Sequence, residues 1–183
     1  MSVLVSILMV IVLAVGSVFG FYNGMVSSRE NVDSKWSQVD NQLQRRSDLI
    51  PNLVNTVKGY ASHEKEVFQS VSDARAKMAG AKSVGDKLSA NTELSGALSR
   101  LLAVAENYPQ LKADQNFRQL QDELSGTENR IAVARKDYND AVQNYNTKIK
   151  SLPYSLFAGA LGFTERDYFK VEETAKAVPK VQF

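Results

Sequence analysis

Residues 117–148 read FRQLQDELSGTENRIAVARKDYNDAVQNYNTK, and the spacing within this stretch decides the fold. Phe117, Leu124, Ile131, Tyr138 and Tyr145 follow one another at seven-residue intervals. Leu120, Thr127, Ala134, Ala141 and Lys148 fill a second position of the same repeat. Residues three and four apart share one face of an α-helix, so the pattern is that of a long helix with one buried stripe. The stripe is apolar at its start and degrades toward Lys148, where the helix is expected to leave the core. A stripe of this length has to be covered, and bundle packing against other helices is favoured over an isolated coiled coil.

Partners for it lie upstream. Val32, Trp36, Val39 and Leu43 are spaced by four, three and four. A second run joins Leu53, Val54, Val57 and Tyr60 to Val67, Phe68, Val71, Ala74 and Met78. A third comprises Leu94, Ala97, Leu98, Leu101, Leu102 and Ala105. Period-two alternation, the mark of strands, is missing. Pro51 suits the first turn of a helix, with Ser47 or Asp48 as its cap. Residues 80–85 (GAKSVG) are small and polar, a connector. Asn107-Tyr108-Pro109 ends the third helix and Leu152-Pro153 follows the fourth. Helices are therefore expected at about 2–47, 51–79, 86–107 and 114–150. Short connections make neighbours antiparallel. The predicted fold is all-α: a transmembrane helix (1–28) continuing into an antiparallel up-down four-helix bundle (29–151). An apolar membrane-proximal segment and tail follow (152–183), with one short helix expected in 164–183.

The anchor rests on residues 3–21, VLVSILMVIVLAVGSVFGF. About 20 apolar residues cross a ~30 Å hydrocarbon core as a helix. No charge occurs before Arg29, so all 22 basic and 20 acidic residues lie from Arg29 onward. A cleaved signal peptide would need a basic start and a shorter apolar core, so an uncleaved anchor is favoured. Arg29, Lys35, Arg45 and Arg46 follow the span. The positive-inside rule then puts the N-terminus outside and the bundle in the cytoplasm, with a single pass through the cell (inner) membrane. Gly16, Gly20 and Gly24 form a small-residue ridge of the kind found where membrane helices meet, which suggests self-association. The plain alternative is that glycine is common in membrane helices.

At about 1.5 Å per residue the fourth helix is ~55 Å long, against ~27 Å for the first beyond Arg29. Its end should return to the membrane surface. The residues that follow, LPYSLFAGALGF (152–163), carry no charge. Either Tyr154, Leu156, Phe157, Leu161 and Phe163 dip into the lipid interface, or the segment folds against the open end of the bundle.

Catalytic chemistry is hard to place. The chain has no cysteine and one histidine, His63. Thiol nucleophiles, Cys-ligated zinc, iron–sulfur clusters and multi-histidine metal sites are excluded. His63-Glu64 fails as a zincin motif because the fourth position on is Val67. GAKSVGDK (80–87) lacks the Gly-Lys-Ser/Thr of a phosphate loop. Di-iron bundles need two Glu-x-x-His motifs. Glu128 is expected to pair on its own helix surface. A net charge of +2 and the isolated Arg45-Arg46 pair argue against nucleic acid. No catalytic residue, cofactor or metal is expected.

Further strings point to a family. These are Gln42–Val54 (QLQRRSDLIPNLV), Val57–Glu64 (VKGYASHE), Ala105–Ala113 (AENYPQLKA), Leu120–Leu124 (LQDEL) and Thr127–Arg135 (TENRIAVAR). With Tyr138-Asn139, Tyr145-Asn146 and Gly162-Phe163 they resemble the LemA family over nearly the whole chain. Gln110 stands where that family often has Asp. The resemblance implies an N-terminal anchor and a long helical bundle, mostly cytoplasmic, with no catalytic residues to carry over. It also implies kinship with a protein that magnetosome-forming bacteria use in building membrane compartments. Some members are encoded beside a membrane zinc metalloprotease. The expected role is a non-enzymatic membrane-anchored scaffold contacting membrane lipid, homo-oligomeric, organising membrane or partner proteins. The alternative is an adaptor or regulatory subunit of a membrane protein partner, such as that zinc metalloprotease or a transporter.

Overall fold

The structure is a computed structural model and describes residues 2–170. Its helices are α1 (Ser2–Lys58), α2 (Lys65–Gly80), α3 (Val84–Glu106), α4 (Pro109–Ala113) and α5 (Gln115–Lys150), followed by a 3₁₀ turn at Tyr154–Leu156. Every regular element among the described residues is helical. Residues 164–170 have no regular structure, so no helix begins there, and the rest of the tail lies outside the described residues.

The expected break at Pro51 does not occur. Pro51 lies inside α1, and neither Ser47 nor Asp48 caps a helix. A helix-interior proline removes the N–H that would bond the carbonyl four residues back. That carbonyl belongs to Ser47, a buried residue, and it accepts instead from Arg75 Nε of α2 at 3.2 Å. A side chain from another helix thus supplies the missing donor, and α1 continues until the chain turns at Gly59-Tyr60.

The connector at 80–85 is more ordered than its composition suggests. Ser83 accepts from the Asp86 N–H at 3.0 Å, and Asp86 accepts from the Ser83 N–H at 3.2 Å, a capping box that starts α3. Asp114 likewise starts α5 by accepting from the Phe117 N–H at 2.9 Å.

The chain divides into two compact units, and both α1 and α5 lend residues to each. Among the described residues, one comprises 38–135 with 168–170. Its core holds Leu43, Ile50, Leu53 and Val57 of α1, and Phe68, Val71 and Met78 of α2. Leu94, Leu98 and Leu101 of α3 and Phe117, Leu124 and Ile131 of α5 complete it, all buried.

The other unit comprises residues 2–37 with 136–167. Its α1 portion is long and apolar enough to cross a membrane, and Leu4, Val5 and Ile7–Leu13 are all exposed. Its core joins Met25 and Val32 of α1 to Tyr138, Ala141, Val142, Tyr145 and Ile149 of α5. Here α5 does not leave the core as its heptads suggest. A straight helix drifts about 20° per heptad, and the buried line moves onto Val142, Asn146 and Ile149 as Lys148 turns aside.

Candidate membrane-interface site

The last turns of the apolar part of α1 meet the segment after α5 in an aromatic collar. Phe21 stands edge-on to Tyr154 with centroids 5.3 Å apart, and stacks with Phe157 at 6.3 Å. Tyr22 meets the Phe163 ring edge-on at 5.7 Å. Tyr154 lies over Gly24, where a Cβ would stand 3.5 Å from the tyrosine hydroxyl and 3.6 Å from its ring, in ordinary contact. Lys148 fastens the helices together by donating to the Gly24 carbonyl at 3.1 Å and the Ser28 hydroxyl at 2.5 Å. Its ammonium lies 5.9 Å from the Tyr154 ring centroid, and the Arg29 guanidinium lies 5.2 Å from that of Phe163.

Residues 152–163 turn back through a cis Leu152-Pro153 peptide bond and a closing loop. Phe163 N–H bonds the Ala158 carbonyl at 2.9 Å and Gly162 N–H bonds that of Gly159 at 3.2 Å. This is a Schellman arrangement, and Gly162 has the positive φ of 76° that it requires. The loop buries Ala158 and Phe163 while leaving Leu152 74%, Leu156 68% and Leu161 41% exposed.

The segment then runs as a strap over α5. Tyr138 donates to the Asp167 carbonyl at 2.8 Å and Tyr145 to that of Thr164 at 2.9 Å. Asn146 bonds both the N–H and the carbonyl of Arg166, each at 2.9 Å. Arg166 reaches Asp33 of α1 at 3.0 Å. Burial pushes both tyrosine hydroxyls above their ordinary pKa, so they remain donors. The strap has no helix or sheet to satisfy its backbone, and Tyr138, Tyr145 and Asn146 do so. Sequence reading missed this. The available signal was a polar pair recurring at a buried position after seven residues.

The expected interface residues thus fall into two groups. Leu156 and Leu161 face outward. Phe163 is buried, and Tyr154 and Phe157 are half-buried against Phe21. Of the glycine ridge, Gly16 and Gly20 have open space around them, while Gly24 is covered by Tyr154.

In the other unit the charged strings have structural work. Arg46 donates to Asn91 of α3 at 2.9 Å and pairs with Glu128 of α5 at 2.8 Å. Its side chain is 8% exposed, and burial lowers its pKa while Glu128 raises it. Glu128 therefore pairs across helices rather than along its own surface. His63 is exposed. Among the described residues no group of three or more His, Cys, Asp or Glu could hold a metal ion. A polar groove of about 680 Å³ lies between α2 and α3. The Lys77–Glu93 ion pair in it is two charged groups neutralising one another.

Comparison with known proteins gives this architecture relatives. Magnetosome protein MamQ 2 of Paramagnetospirillum magneticum is 30% identical, covering 81% of this chain and 64% of its own length. Magnetosome protein MamQ of Magnetospirillum gryphiswaldense is 28% identical over the same shares. Protein LemA of Metamycoplasma hominis is 23% identical, covering 71% of this chain and 60% of its own length. The chain thus spans a little under two thirds of the length of these curated relatives. A family-wide sequence profile matches residues 35–183, beginning one residue before Trp36 and taking in the Arg46 and Glu128 strings and the Tyr-Asn pairs of the strap, and by that match the chain belongs to the LemA family.

Proposed function

We propose that this chain is a single-pass membrane protein whose helical module rests on the bilayer as a non-enzymatic scaffold. It self-associates and organises membrane or partner proteins. The observation that carries this reading is the outward display of Leu152, Leu156 and Leu161 beside the aromatic collar that grips the apolar helix. Exposed leucines flanked by tyrosines suit the boundary between hydrocarbon and headgroups. None of the relatives bears an enzyme's name, which favours a structural role. Arg29 and Lys35 after the span favour a module on the cytoplasmic side of the cell's inner membrane.

Cross-links within each unit support an antiparallel up-down arrangement. Lys58 lies over Phe68 and Ser47 bonds Arg75, so α1 and α2 run in opposite directions. Asp40 pairs with Lys87 and Arg46 with Asn91, so α1 and α3 run in the same direction. In the other unit Lys35 pairs with Asp137 and Ser28 with Lys148, which opposes α1 to α5.

Self-association would use the open face of Gly16 and Gly20, with Gly24 contributing through Tyr154. The test is the mass of the protein extracted in native-like membrane particles. A discrete homo-oligomer that dissociates on Gly20→Leu supports the scaffold. A monomer carrying a second polypeptide overturns it in favour of an adaptor or regulatory subunit of a membrane protease or transporter.

A further inference from the structure

Most cations of the unit that holds the collar have carboxylate partners. Lys35 pairs with Asp137 at 3.5 Å, Lys150 with Glu165 at 2.7 Å and Arg166 with Asp33 at 3.0 Å. Arg29 and Lys148 depart from this rule: among the described residues neither makes an ion pair. Both are half-buried, so each has given up part of its hydration without gaining an anion. Both are nevertheless held in place. Lys148 spends two N–H donors on the Gly24 carbonyl and the Ser28 hydroxyl, and its third remains. Arg29, next in sequence to Ser28, stacks on Phe163, which leaves the edge of the guanidinium available to an oxygen acceptor.

The surroundings say which anion would come. Arg29 is the first charge after the apolar run of α1. The exposed leucines and the aromatic rings lie in the same collar, and no residue from 151 to 164 is charged. An anion reaching this place at a bilayer surface is a phospholipid phosphate.

We propose that Arg29 and Lys148 together bind the headgroup phosphate of an anionic phospholipid in the leaflet on the module side. This rests on the membrane-docking reading above and adds a lipid preference to it. The phosphate neutralises both cations, the lipid chains lie beside Leu152, Leu156 and Leu161, and Tyr22 and Tyr154 bound the site.

The experiment uses the full chain in nanodiscs of phosphatidylcholine mixed with phosphatidylglycerol, with the lipids retained on release counted by native mass spectrometry. Wild type should retain phosphatidylglycerol preferentially. Arg29→Gln and Lys148→Gln should each reduce the preference about fivefold, and Arg29→Lys with Lys148→Arg should keep most of it. Equal retention of the two lipids by wild type overturns the proposal, as does an undiminished preference in the double Gln variant. Displacement of phosphatidylglycerol by inorganic phosphate overturns it in favour of a soluble anion. A spin label on Ser155→Cys, in a chain with no other cysteine, reads bilayer contact separately. Immersion of the label without lipid preference removes the headgroup site and leaves docking intact. No immersion removes both.

Discussion

Arg46 and Glu128 form an asymmetric pair: the arginine side chain is 8% exposed and the glutamate 55%. Removing either partner has unequal consequences. Glu128→Ala strands a buried guanidinium with Asn91 alone, and should cost about 2 kcal/mol, discounted for the exposure of the carboxylate. Arg46→Met keeps the volume and frees Glu128 to hydrate, and should cost under about 1 kcal/mol. Urea unfolding of the two variants checks the order. Asp86 and Asp114 titrate with a definite sign. The Ser83 hydroxyl and backbone N–H hold Asp86 below the usual carboxylate pKa, and the Phe117 N–H holds Asp114 there. A depressed folded value means the cap stabilises fully above the unfolded value of about 3.9 and is lost as pH falls through the lower folded one. The Phe117 amide should lose exchange protection in that acid window. In Asp114→Asn, whose side chain accepts without titrating, the acid dependence should vanish.

α1 is the element where local rules mislead most. Pro51 reads as a start signal because its φ and missing N–H suit a first turn, and the helix nonetheless runs through it. The compensating donor, Arg75, lies 28 positions from Ser47, beyond any local window. A double-mutant cycle tests the compensation. Arg75→Met should cost about 1–2 kcal/mol where Ser47 would be left with an orphaned carbonyl. It should cost less than half of that in a Pro51→Ala background, where residue 51 donates instead. Additive effects would mean that Arg75 does not serve the proline. The helical stripes themselves were legible: Val32, Val39, Leu43, Phe117, Leu124, Ile131 and Tyr145 are buried as their spacing implies. So was the helix of apolar composition. What stayed hidden depends on residues far apart in sequence, as when Asn146 holds Arg166 or Lys148 grips Gly24. Periodicity places a side chain on a face and is silent about which polar atom meets it.

For the whole molecule, the collar makes the boundary of the apolar segment part of the fold. A chain starting at Phe21 keeps Phe21, Tyr22 and Gly24 and should melt like the full protein. A chain starting at Arg29 loses Phe21 from Tyr154 and Phe157, Tyr22 from Phe163, and Gly24 and Ser28 from Lys148. It should lose about 3 kcal/mol from uncovered aromatic surface and bind a hydrophobic dye, as thermal melts and fluorescence would show. The same grip has a geometric consequence. Tyr154 sits on Gly24, and each step of four residues along the helix turns it by about 40°. The bearing of Gly20 and Gly16 is therefore set relative to the leucine-bearing loop, and the apolar helix has no freedom to spin about its own axis. If the helix spans a bilayer as proposed, each copy is a compass with a fixed needle, and a neighbour taken through that face would arrive from the loop's side.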